Sequence, residues 1–76
     1  MGDHYYRLSW SSVDGAGSDD EKIDDEQTAI ERADAEQTNA EQGGNQWGYS
    51  YKVKRHYEGS TRTDTVYNAR TGERTL

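Results

Sequence analysis

Trp47 to Tyr57, WGYSYKVKRHY, is the stretch whose reading decides the fold. Its odd positions Trp47, Tyr49, Tyr51, Val53 and Tyr57 are apolar or aromatic, with Arg55 as the exception, while Ser50, Lys52, Lys54 and His56 between them are polar. Side chains on a strand alternate faces, so the pattern is that of a half-buried β-strand. The odd positions are expected to hold the rest of the core, and Lys52, Lys54 and His56 to project to the opposite side.

Working outward, Glu58-Gly59-Ser60-Thr61 supplies a tight turn with Gly59-Ser60 as its two central residues. The register that follows sets Val53 opposite Val66, Arg55 opposite Asp64 and His56 opposite Thr63. Arg55 on an apolar face is thereby given a facing carboxylate. Asn68-Ala69-Arg70-Thr71-Gly72 reads as a type I turn closed by a left-handed glycine, with a short last strand over Arg74 to Leu76.

Toward the N-terminus, HYYRLSW alternates in the same way, with Tyr6, Leu8 and Trp10 on one face and Tyr5, Arg7 and Ser9 on the other. A first strand is expected from about Tyr5 to Ser12. Asp14-Gly15-Ala16-Gly17-Ser18 then reads as a loop. Ser18 with Glu21 matches a capping box, and no Gly or Pro interrupts the chain until Gly43-Gly44. This predicts a helix of about 24 residues, roughly 36 Å long. Wound at about 100° per residue, it places Ile23, Ala29, Ile30, Ala33, Gln37 and Ala40 in one thin, alanine-rich arc that depends on the sheet for stability. The triplets Glu26-Gln27-Thr28 and Glu36-Gln37-Thr38 read as polar helix surface.

The expected architecture is an α+β domain of order β-α-β-β, with or without a short fourth strand. One acidic helix lies on one face of a three- or four-stranded mixed sheet, and a right-handed crossover sets the first strand parallel to the strand after the helix. The 76 residues make a single domain over 1–76, small enough that its core is marginal. Leu, Ile and Val total seven and Phe is absent, so six Tyr and two Trp must supply the buried area. A monomer of low stability, or a dimer, is expected. The chain lacks cysteine, an apolar leader and any run long enough to cross a membrane, which suits a soluble cytoplasmic protein with no membrane partner.

Charge carries the functional expectation. Residues 1–46 hold twelve acids and three bases, whereas residues 47–76 hold six bases and three acids. Glu21, Asp24, Asp25, Glu31, Asp34, Glu36 and Glu41 are expected along the helix, with Lys22–Glu26 and Arg32–Glu36 as i, i+4 pairs. A solvated face that keeps the protein soluble accounts for most such acids. As a functional surface, the helix would occupy the basic, nucleic-acid-binding surface of a protein partner, imitating spaced phosphates. An inhibitor of the kind a virus or mobile element raises against a host defence complex has this character. The contrary surface is the open sheet face, where Tyr5, Arg7, Lys52, Lys54, His56 and Tyr67 mix cations with aromatic rings as single-strand nucleic-acid binders do. The same face could close a homodimer. The glycine loop before the helix lacks the lysine of a phosphate cradle and is ringed by acids. His4 and His56 belong to no ligand spacing, and no nucleophile or metalloprotease motif is present. No catalytic residue, metal or cofactor is therefore assigned.

Overall fold

The computed structural model describes residues 4–75. Five strands and one helix follow in the order β1 (His4–Ser12), β2 (Gly15–Ser18), α1 (Glu26–Gln42), β3 (Ser50–Tyr57), β4 (Thr63–Asn68) and β5 (Glu73–Arg74). They build an α+β domain in which α1 covers one face of an open five-stranded sheet of order β2-β1-β3-β4-β5. Every neighbouring pair is antiparallel, so the mixed sheet expected from the sequence is corrected. The reason is one of parity. After Val13-Asp14 the chain doubles back beside β1 as β2, and Ile23 bridges Tyr6 near the start of β1. The helix therefore starts at the end of the sheet where β1 began, and β3 must run against β1.

That return segment also displaces the helix start. Ser18 lies in β2 and Glu21 in the extended segment after it, so no capping box forms there. Ile23 is buried against the core from the sheet side, held by reciprocal backbone bonds of 2.8 and 2.9 Å with Tyr6. The cap is Asp25 instead. Its carboxylate accepts from the Thr28 amide and the Thr28 hydroxyl, both at 2.9 Å, satisfying one of the free N–H groups of the first turn. The helix is 17 residues long, shorter than expected.

The core forms where α1 lies over β1 and β3. Leu8 stands opposite Val53, both fully buried, and Ala29 and Ala33 above them present no accessible surface. Small side chains let the helix approach closely, and the burial of Leu8 and Val53 stabilises by about 1.5–3 kcal/mol each. Gln37 is also buried, at 5% exposure. Its side-chain amide donates to the Tyr49 carbonyl at 2.9 Å and accepts from the Tyr51 amide at 2.9 Å, standing in for a neighbouring strand beyond the end of β4. The second Glu-Gln-Thr triplet is thus a structural contact, whereas Gln27 of the first is exposed.

Two further expectations are corrected by backbone geometry. The main strand begins at Ser50, not Trp47, because Gly48 takes φ 66° and the Asn45 side chain clamps the Tyr49 amide at 2.7 Å, closing a turn. Trp47 is therefore 49% exposed instead of holding the helix. In β4 a bulge shifts the register between Val53 and Lys54: Arg55 faces Asp64 and His56 faces Thr63 as read from the sequence, but Val53 faces Tyr67. The extra residue turns both Val66 and Tyr67 inward. Gly72, with φ 77°, closes the last turn as expected. The short strand that follows is Glu73–Arg74, and Leu76 lies outside the described residues. No helix among those residues is long and apolar enough to cross a membrane.

Candidate functional site

The acids expected to act as one surface are divided among several structural tasks. Glu21 precedes the helix and pairs with Arg32, and Lys22 pairs with Glu58 at 3.8 Å, so neither expected i, i+4 pair forms. Asp25 is the N-cap. Asp34 accepts the Tyr67 hydroxyl at 2.6 Å, which pushes that phenol's pKa up. Glu41 accepts from Gln37 at 2.8 Å and from Asn45 at 2.7 Å. All seven acids remain exposed, and of them only Glu21 carries an ion pair among the described residues; Asp24, Glu31 and Glu36 differ from the rest in making no hydrogen bond or ion pair to another part of the fold. Those three lie apart on the surface: Asp24 before the cap, and Glu31 and Glu36 about 140° from each other around the helix.

Beneath the N-terminal turn sits a charge cluster that sequence reading did not find. Glu26 accepts from Arg74 at 2.8 Å, Arg55 at 3.1 Å and the Tyr6 hydroxyl at 3.1 Å. The Arg74 bond, opposed by desolvation and helped by Arg55 and Tyr6, holds the Glu26 carboxyl below its ordinary value. Arg55 thus pairs with the helix, not with the facing Asp64, which instead accepts from Tyr57 at 2.7 Å and from Arg62 at 3.4 Å. The signal was Arg55 on an apolar face. Its partner is hidden because Glu26 sits in a polar Glu-Gln-Thr triplet with nothing local to set it apart from exposed helix surface.

The open sheet face keeps five of its six expected residues. Tyr67 is removed to the helix side by the bulge. Tyr5 and His56 are cross-strand partners whose rings stack at 5.2 Å with an interplanar angle of 10°. Lys22 lies over the Tyr5 ring at 4.7 Å and Arg7 at 5.5 Å. Arg7 stands directly opposite Lys54, and Lys52, opposite Ser9, is two residues along the same strand. A depression of about 320 Å³ opens among these residues, lined by Arg7, Lys54, His56 and Thr63 on one side and by Gly17 and Ser18 on the other.

The electrostatics of this face differ from the rest of the molecule. Lys22, Arg32, Arg55, Arg62 and Arg74 each pair with a carboxylate, and Arg70 donates to the Gly48 carbonyl at 3.3 Å. Arg7, Lys52 and Lys54 pair with no acid among the described residues, and the Arg7 Nε is buried without a hydrogen-bond partner. Like charges directly opposite on neighbouring strands destabilise a sheet by a few tenths of a kcal/mol to about 1 kcal/mol. Desolvation first, then Arg7 and Lys54, push the His56 pKa below its ordinary value. The imidazole therefore senses a positive potential on this face.

A third surface lies at the other end of the sheet. Tyr49 and Tyr51 stack at 6.1 Å, Trp10 meets Tyr49 edge-on at 6.0 Å, and Trp47 stands exposed beside them. Trp10 lies across Gly17, where a Cβ would meet the indole Cζ2 at 2.7 Å. The glycine loop dismissed as a phosphate cradle is thus a hairpin arm that seats an aromatic ring. No group of three or more His, Cys, Asp or Glu side chains fit to hold a metal occurs among the described residues. No family model, curated protein or solved structure significantly matches the chain.

Proposed function

We propose that this chain is a non-enzymatic binding domain whose open sheet face holds the phosphate backbone of a single-stranded nucleic acid. The observation that carries this reading is the cluster of Arg7, Lys54 and Lys52, which pairs with no acid among the described residues, in a protein that gives five of its other six cations a carboxylate. An anionic ligand would relieve the repulsion across β1 and β3 and supply a partner for the Arg7 guanidinium. Exposed Thr63 and Thr65 on the adjoining strand can donate hydroxyl bonds to phosphate oxygens. Tyr5 is already engaged by His56 and Lys22, so base stacking contributes little and sequence preference is weak. A two-fold dimer through this face would set the cations against their own copies, which disfavours that use.

With about three phosphates neutralised, log K falls with log salt at a slope near −2. Fluorescence anisotropy of a labelled oligonucleotide measures this directly. Binding at about 20 mM salt, weakened roughly a hundredfold at ten times that concentration and abolished by Lys52→Glu with Lys54→Glu, supports the reading. Absence of binding at low salt, or binding indifferent to those substitutions, refutes it.

A second reading rests on Asp24, Glu31 and Glu36, exposed without a base, as the contact of a protein-binding inhibitor with a basic partner surface. It has less support, since Glu21, Asp25, Asp34 and Glu41 are committed within the fold. Charge reversal at the three free acids would abolish such binding and leave the oligonucleotide affinity undiminished.

A further inference from the structure

We infer that the groove between the C-terminal end of α1 and the turn before β3 is a docking site for an extended, proline- and arginine-containing peptide. The groove has a volume of about 360 Å³ and is lined by Trp47, Tyr49 and Tyr51 from the turn and strand and by Glu36, Asn39 and Ala40 from the helix. Its aromatic side is pre-organised. Tyr49 and Tyr51 hold each other nearly parallel, Trp10 buttresses Tyr49 from β1, and the Asn45 clamp fixes the backbone of the turn. Rings held in this way cost a ligand little ordering entropy when it packs on them.

Trp47 remains 49% exposed and Val13, whose amide donates to the Trp47 carbonyl at 2.9 Å, is 73% exposed. These are the large apolar side chains that the fold leaves uncovered among the described residues, and they are neighbours. Tryptophan and tyrosine together at an exposed site are the residues most often found at binding hot spots.

Charge selects the occupant. Glu36 stands on the helix rim of the groove without an ion pair among the described residues, and Asp19 and Glu36 both act on the Tyr51 phenol, whose pKa is raised chiefly by burial and then by Glu36. An aromatic platform under negative potential favours a guanidinium lying over a ring and paired with the carboxylate. An extended proline helix suits the remainder, because its rings pack on aromatic side chains and its conformation is already restricted in solution. The site is separate from the open sheet face: its lining shares no residue with the depression there.

Titration of the protein with a synthetic Pro-Pro-Arg repeat of twelve residues, followed by tryptophan emission and by 1H–15N shifts of the Trp47 indole, provides the test. The expected result is saturable binding that is lost in Trp47→Ala and weakened tenfold or more in Glu36→Lys, with the far-UV spectrum of both variants unchanged. A Gly-Ser-Arg repeat of equal charge should bind at least tenfold more weakly. No saturation at millimolar peptide, equal binding of the Gly-Ser-Arg repeat, or retention of binding in Trp47→Ala overturns the proposal. Lys52→Glu with Lys54→Glu leaves peptide binding intact, which separates this outcome from that of the oligonucleotide experiment.

Discussion

Replacing Gln37 by leucine tests how the helix is tied to the sheet. Leucine fills nearly the same volume, so the change is mainly in hydrogen bonding. The Tyr49 carbonyl keeps a bond from the Asn45 amide at 3.1 Å, and Glu41 keeps its bond from Asn45 at 2.7 Å. The Tyr51 amide loses its acceptor outright. A buried donor left unpaired costs about 1–3 kcal/mol, and the added apolar burial offsets part of that. The net expectation is a loss of about 1–2.5 kcal/mol, equivalent to a fall in Tm of roughly 5–15 °C for a domain this small. Gln27→Leu, in the other Glu-Gln-Thr triplet, is the control: Gln27 is exposed and its side chain donates to Glu31 at 3.3 Å, so its change should stay within about 0.5 kcal/mol. Urea denaturation followed by circular dichroism compares the two at constant slope. Equal midpoints for both variants would refute the role of Gln37 as a substitute strand partner.

Other perturbations probe the remaining supports. His56 should titrate below its ordinary value of 6.5, seen in the NMR shift of its ring proton. Because the folded state binds this proton less readily than the unfolded state, stability is retained above that value and lost as pH falls below it toward the folded pKa. Lys54→Met should raise the midpoint, as should bound oligonucleotide; a midpoint unmoved by either contradicts the positive potential assigned to this face. Glu26 gives the acid limb: its carboxyl is held below 4.5, so its contribution is present above that value and fades as pH drops through the folded pKa. Glu26→Gln should cost about 1–2 kcal/mol at neutral pH, limited by partial exposure of the cluster, and should flatten the dependence of urea midpoints on pH in that range. Gly17→Ala should lift the Trp10 indole, costing about 1–3 kcal/mol and altering the near-UV spectrum, whereas Gly43→Ala, which meets no atom closer than 3.6 Å, should change the spectrum little.

Much of the central architecture was legible because it follows from period-two patterning. Tyr6, Leu8 and Val53 fall on the buried face as their alternation requires, and the register that sets Arg55 opposite Asp64 and His56 opposite Thr63 is the one read from the sequence, although the turn closes at Glu58-Gly59, with the Ser60 amide donating to the Tyr57 carbonyl, and not at Gly59-Ser60. What escaped depends on contacts distant in sequence. Gly15–Ser18 has no strand propensity of its own, and it pairs because Gly17 leaves room for Trp10. Reading that segment as a loop moved the helix start from Asp25 to Ser18 and reversed the relation of β1 to β3. The bulge at Val66 has no local signature, so Tyr67 was placed on the wrong face. The alternation that exposed Lys52, Lys54 and Arg7 survived, because it lies on the central strands. Which carboxylates of the acidic segment take structural partners was not legible, since it depends on where Arg32, Tyr67 and Asn45 arrive in three dimensions.

Mapping amide shifts of the labelled protein during titration with a short single-stranded oligonucleotide at low salt is the most direct test of the basic face as the functional surface. Shifts should concentrate on Arg7, Ser9, Lys52, Lys54, His56 and Thr65 and leave Glu31, Asp34 and Thr38 of α1 unmoved. Shifts confined to the helix or the aromatic groove, or none at all, would contradict it.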